Sequence, residues 1–366
     1  MSFLFNKNKK EEDDYEDYEE ESPTRKIINR EDIRDLKPEN KKFRKEPKKP
    51  WGRKERAIVL ITLLLTSGIP IFLALSSRNW KLPGLPRIAV PSVNIPFIGK
   101  KTIELGGSSE DLVRANEAKK YFVESTKDLT GVYGLYVIRL KNGSSYGVNE
   151  NGTFEAASLI KLPVIAAFYI SYEAQTKFPG GDTIDLKDKY ILKASDKVAG
   201  SGSLYGKPAG YQISYQELLN LMGKQSDNTA LNIIRKTLGD AQINEVIRKI
   251  GMSQTSLSDN ETTPYDIGTF FESLWKGNIV SEDSKQKILD SLTDTIYEDW
   301  IVKGIPEGVK VAHKFGKEIN VTNDAGIILT NEPYVLVLMG DGITDKEANL
   351  VIPEISKKVY EIETGL

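Results

Sequence analysis

Hydrophobic and polar positions divide this chain into four stretches. Residues 1–56 carry no regular apolar period, and from Glu11 to Glu21 nine of eleven residues are acidic. Such a block buries no core and is expected to stay disordered. Ala57 to Ser77 reverses the pattern: it holds no charged residue and is dominated by Ile, Leu, Val and Phe. That length suits a helix crossing a bilayer, and Gly68 and Pro70, awkward in a soluble helix, are tolerated there. Residues 78–104 place Pro83, Pro86, Pro91 and Pro96 among apolar positions, the pattern of an extended stalk. From 105 to 366 the pattern is that of one globular domain.

Within that domain the period of the pattern changes along the chain. Ser109 to Lys127 reads as a helix. Val132 to Leu140 and Ser144 to Val148 read as strands, and Lys141-Asn142-Gly143 between them is a hairpin signal. The apolar run Leu162 to Tyr169 reads as a buried helix, its first turn tightened by Pro163. Helical segments and polar loops then dominate residues 182–300, with helices over Tyr215 to Met222, Thr229 to Leu238, Ala241 to Ile250 and Asp266 to Trp275. Strand signals return at Val309 to Lys314, Asp324 to Thr330 and Tyr334 to Met339, and Asp345 to Ile362 closes the chain as a helix. Strands at both ends with helices between predict an α+β fold, an α/β/α sandwich. One antiparallel sheet is flanked by helices and interrupted by an all-helical subdomain.

Charge and composition alter this picture at two points. Lys41 to Arg56 is rich in Lys and Arg and lies immediately before the apolar span. The basic side of a span stays in the cytoplasm, so the expected topology is single-pass, with the N-terminus inside and residues 105–366 outside the cytoplasmic membrane. A 56-residue leader is too long for a signal-peptide n-region, which favours an uncleaved anchor over a cleaved signal. The basic block then serves topology and anionic lipid rather than nucleic acid. The chain also has no cysteine and one histidine, His313. Disulfides, thiolate metal sites and a cysteine nucleophile are excluded, and no metal or cofactor is expected. His313 itself reads as a neutral strand residue.

Candidate chemistry begins at Ser158-Leu159-Ile160-Lys161, where positions three apart on a helix share a face. A serine hydroxyl needs a base to become a nucleophile, and a desolvated lysine can supply one. By itself the spacing is cheap, since it recurs at Ser273/Lys276 and Ser284/Lys287. Two further features follow in order. Ser226-Asp227-Asn228 opens the helix Thr229 to Leu238, and Lys314-Phe315-Gly316 ends the strand that begins at Val309. A second Ser-Asp-Asn, Ser258 to Asn260, sits in a turn and is set aside.

These three motifs, with AASLIKLPV, GSGSL, SDNTALNII and VAHKFGKEINVTNDAGII around them, resemble those of class A β-lactamases and penicillin-binding proteins. The likeness covers roughly residues 105–366. It implies that Ser158 attacks an amide or lactam carbonyl and that Lys161 takes or holds its proton. The backbone N–H groups of Ser158 and Lys317 would form the oxyanion hole. Ser226 would relay a proton to the leaving nitrogen, Asn228 would bind a substrate amide, and Asp227 would fix the turn. Lys314 would offer its charge to a substrate carboxylate and to Ser226, beside Phe315 and Gly316. The bland alternatives are a helix cap for Ser226, a turn for Asp227-Asn228 and a surface strand position for Lys314.

Two departures from the family pattern bear on function. Phe315 stands where the family carries a hydroxyl that helps hold the substrate carboxylate. The segment MSQTSLSDNETTPYD is short, and its one glutamate, Glu261, falls past the position of the deacylating base. The resemblance therefore implies a membrane-anchored extracytoplasmic serine hydrolase that acylates on a β-lactam or a cell-wall peptide and deacylates slowly. The rivals are a working β-lactamase and a catalytically silent envelope scaffold. The sequence is neutral on oligomeric state.

Overall fold

The computed structural model describes Thr62, residues 108–177 and residues 184–366. The tail, the span and the stalk at 1–56, 57–77 and 78–104 lie outside the described residues, Thr62 apart. Helix α1 (Ser109–Thr126) opens on a capping box in which the Ser108 hydroxyl and the Asp111 carboxylate each satisfy the other residue's backbone N–H. Strands β1 (Val132–Arg139) and β2 (Ser145–Val148) form the expected hairpin, with Gly143 at φ 75° in its turn. Strand β3 (Phe154–Glu155) leads into a 3₁₀ turn, Ala157–Ile160, and then into helix α2 (Lys161–Lys177).

Two-residue and three-residue strands follow that the sequence pattern could not show: β4 (Lys189–Ile191) pairs with β5 (Gln212–Ser214), and β3 pairs with β6 (Glu261–Thr262). Between them lie α3 (Tyr215–Lys224), α4 (Asn228–Leu238) and α5 (Asp240–Ile250). Helices α6 (Pro264–Trp275) and α7 (Glu282–Ser291) precede three long strands, β7 (Lys310–Glu318), β8 (Val321–Leu329) and β9 (Tyr334–Asp341). Helix α8 (Asp345–Thr364) closes the chain. Helix α7 has no counterpart in the sequence reading, because only Ile288 and Leu289 interrupt a polar run.

The main sheet is antiparallel throughout, in the order β2-β1-β9-β8-β7, so β7 is an edge. Its strands are buried on both faces, and side chains alternate between two cores. Tyr136, Ile138, Val335, Val337 and Ala312 face the core shared with α2–α7. Leu135, Val137, Leu336, Leu338 and Val311 face the core shared with α1 and α8. Odd-numbered positions of β7 thus point to the terminal helices and even-numbered ones to the helical subdomain. Among the described residues one helical stretch, Ala157–Ala174, is long and apolar enough to cross a membrane. Its side chains from Leu159 to Tyr169 are buried, so it is the central core helix of the domain.

Candidate active site

The site forms where the 3₁₀ turn, the α3–α4 connection and the edge strand β7 converge. The 3₁₀ turn is held from two sides. Asn323 of β8 donates from Nδ2 to the carbonyls of Glu155 (2.8 Å) and Ala156 (3.2 Å), and its Oδ1 accepts from Gly340 N (3.2 Å). Ala156 N donates to the carbonyl of Asn260 at 2.7 Å, so the set-aside second Ser-Asp-Asn abuts the turn through its backbone. Ala157 lies at φ 46°, a left-handed conformation that costs a non-glycine residue about 1–3 kcal/mol. Packing absorbs that cost and presents Ser158, the one partly exposed residue of the turn.

Lys161 starts α2 and is 1% exposed. Its Nζ lies 2.7 Å from Ser158 Oγ, 2.8 Å from the Ser226 carbonyl, 2.7 Å from Asn228 Oδ1 and 3.1 Å from Ser226 Oγ. Two of these four atoms, the Ser226 carbonyl and Asn228 Oδ1, can only accept. A neutral amine satisfies both with its two N–H bonds and keeps a lone pair for the serine hydroxyls. Burial holds the Lys161 pKa down to about 8, against the opposing charges of Asp227 and Glu318. About a tenth of the molecules then carry the amine in its basic form at pH 7. Glu261 is not among the charges acting on Lys161; it is exposed and pairs through β6 with Glu155.

The Ser226-Asp227-Asn228 turn is built around Asp227. Its Oδ1 caps α4 by accepting from Ala230 N at 2.9 Å, and its Oδ2 accepts from Leu204 N at 2.8 Å. Gly202, at φ 97°, passes so close that a Cβ there would sit 2.2 Å from Asp227 Oδ2. The GSGSL stretch is therefore the back wall of the turn. Asn228 Nδ2 donates to the Ala199 carbonyl, which leaves its Oδ1 for Lys161. Ser226, at φ 54° and 1% exposed, is not the helix cap; Asp227 is.

Strand β7 completes the constellation. A Cβ on Gly316 would meet Ser158 N and the Ala156 carbonyl at 3.1 Å each, so glycine lets the strand backbone approach the turn. Lys317, the next residue, pairs its exposed side chain with Asp345 at 2.7 Å. Lys314 is fully buried, which rules out the bland alternative of a surface strand position, but its Nζ donates to the Phe315 carbonyl (2.8 Å) instead of contacting Ser226 as the resemblance implied. That amine also lies 3.8 Å from the centre of the Phe315 ring. Burial, followed by the charge of Lys161, pushes the Lys314 pKa well below its usual value, against Asp324.

The sequence reading of His313 is corrected. The ring is wholly buried, with Nδ1 2.7 Å from Asp324 Oδ1, and Nε2 3.2 Å from Thr295 Oγ1 and 3.6 Å from Glu298 Oε1. Burial alone would lower its pKa, but the charge and hydrogen bond of Asp324, with help from Glu298, raise it to about 9. The Asp324 and Glu298 carboxylates thus favour the protonated ring at neutral pH. Asp324 also accepts from Ile301 N at 2.9 Å, tying the loop before β7 to the sheet. Asn323 and Asp324 both lie within the TNDAG run, yet no spacing rule marks them as supports of the site.

The fold and this residue set define the active-site-serine β-lactamase class. The family model described as "Beta-lactamase enzyme family" matches residues 115–362, and the chain belongs to that family. Among solved structures it is similar to PBP-A, with 26% identity and a TM-score of 0.62 over 69% of this chain and 97% of that one. A leucine-to-glutamate mutant of PBP-A, solved as its acyl-enzyme complex with penicillin G, matches with 26% identity and a TM-score of 0.63, covering the same 69% and 97%. A β-lactamase from Sphaerobacter thermophilus DSM 20745 matches with 25% identity and a TM-score of 0.63, over 69% of this chain and 98% of that one. A comparison with curated proteins finds no match.

Proposed function

We propose that this chain is a membrane-anchored serine hydrolase whose catalytic domain lies outside the cytoplasmic membrane. In this reading it is acylated by a β-lactam or a cell-wall peptide amide. The observation that carries the chemistry is the 2.7 Å contact between a buried, basic Lys161 and Ser158 Oγ. Lys161 in its neutral form takes the proton as Ser158 attacks the carbonyl. The oxyanion forms beside Ser158 N and the backbone of Lys317, and the proton passes through Ser226 to the leaving nitrogen. Asn228, whose Oδ1 is engaged by Lys161, contacts the substrate amide at the rim. The acyl-enzyme is expected to persist, because the short segment MSQTSLSDNETTPYD supplies only Glu261, which is exposed on β6 opposite Glu155. The basic block before 57–77 supports the topology.

Intact-protein mass after incubation with benzylpenicillin, beside a Ser158→Ala control, tests this reading. A lasting adduct that requires Ser158 is expected. Drug loss with no adduct would mean efficient β-lactamase turnover instead. Neither adduct nor drug loss would favour a silent scaffold, a reading that the buried state of Lys314 supports.

A further inference from the structure

The lysine of the third motif is expected to meet a substrate carboxylate, and here it is turned inward. Lys314 leaves the edge strand on the nucleophile's face and Phe315 on the other, yet amine and ring meet at 3.8 Å. The ring is 3% exposed and is fixed from behind by Tyr297, at 4.2 Å between ring centres, and by Trp300 at 6.4 Å. The amine's single hydrogen bond goes to the Phe315 carbonyl, and Lys314 has no exposed surface. The ring face and this carbonyl are the amine's partners, and burial disfavours its charged form, so no anion is needed to hold it. An incoming carboxylate would have to displace that contact, and the Phe315 side chain offers it no hydroxyl donor. Asp324, whose charge acts on Lys314, already partners His313.

We infer that Phe315 is a specificity-determining residue that turns the site towards acyl donors with no free carboxylate beside the scissile bond, such as esters, amides or amidated peptides. The inference rests on the acyl-serine reading above. Its reaction is ordinary acyl transfer: the Ser158 Oγ–acyl bond forms, the bond from the carbonyl carbon to the leaving nitrogen (oxygen in an ester) breaks, and the serine proton ends on that leaving atom. What changes is the partner beside the leaving group. A neutral substituent needs no counter-charge from the buried Lys314, whereas a carboxylate is desolvated without a matching donor.

The test uses the full chain, its Phe315→Thr and Ser158→Ala variants, and three probes followed by intact mass: a neutral fluorophosphonate, benzylpenicillin, and benzylpenicillin methyl ester. The fluorophosphonate reports whether Ser158 is nucleophilic without engaging Lys314. It should label the wild type but Ser158→Ala not at all, and each acid-to-ester ratio is read within one variant. The wild type should then acylate at least as fast with the ester as with the free acid, and Phe315→Thr should shift that ratio towards the acid by tenfold or more. A wild type that favours the acid by tenfold overturns the inference while leaving the acyl-serine reading intact. An unchanged ratio in a folded Phe315→Thr overturns the assignment to Phe315. Failure of the fluorophosphonate to label Ser158 overturns both. If Phe315→Thr does not fold, the wild-type acid-to-ester ratio decides alone.

Discussion

The buried His313–Asp324 pair makes a quantitative prediction that does not depend on catalysis. An imidazole titrating at about 9 in the folded chain and near 6.5 when unfolded binds its proton more tightly in the folded state. The stabilisation is fully present below pH 6.5 and is lost as pH rises through 9, since between these values the folded chain holds a proton that the unfolded chain has released. The shift of about 2.5 pH units corresponds to about 3 kcal/mol. Lys161 and Lys314 are shifted down and work in the opposite sense, their penalty relieved as pH rises, so the wild-type curve alone mixes the terms. Subtracting a His313→Gln variant isolates the histidine. Urea unfolding of both proteins at half-unit steps from pH 6 to 9.5 should show the wild type's advantage shrinking by about 3 kcal/mol across that range. Removing one partner of a buried pair should also cost about 3–5 kcal/mol at pH 6. Parallel curves, with a changing difference below about 1 kcal/mol, would show that His313 is neutral in the folded protein and refute the ion pair.

Other outcomes follow from the same geometry. The rate of Ser158 acylation should rise about tenfold per pH unit below 8 and level off above it, because neutral Lys161 is the base; a flat rate from pH 6 to 9 would remove it from that role. Lys161→Met should abolish acylation while leaving the thermal unfolding midpoint within a few degrees. Asn323→Ala frees the carbonyls of Glu155 and Ala156 and the N–H of Gly340, which should cost about 3 kcal/mol in urea unfolding. Acylation should also slow in that variant, since the nucleophile turn loses its tie to the sheet; unchanged acylation would mean the turn is held without Asn323.

Much of the fold was legible because the long elements carry a clear period. The β1–β2 hairpin sits where Asn142-Gly143 places it, and the helices from α3 to α6 lie within two residues of their apolar patterns. Helix α7 was hidden because its buried surface is small, although Ser281 followed by Glu282 and Asp283 is a start signal. The paired ribbons β3–β6 and β4–β5 are too short for any alternation to register. At the site, the three motifs named the residues that converge, whereas the direction of Lys314, the charge of His313 and the clamp by Asn323 were not readable. Each depends on a partner far away in sequence: Tyr297 and Trp300 behind Phe315, Thr295, Glu298 and Asp324 around His313, and Glu155 and Ala156 on Asn323.

Local chemistry fixes what a segment can become. Spacing put Ser158 and Lys161 on one turn, Asp227 at a helix start, and glycine at 316 where backbone must pass close. Tertiary packing decided which charges those side chains carry and where they point. Burial lowers an ammonium unless a carboxylate is near, so Lys161 became a base and His313 favours its protonated form. The same rule left Lys314 facing the ring of its own neighbour, because the field at a buried group is set by every element packed around it, and the chain brings those elements together only when it folds.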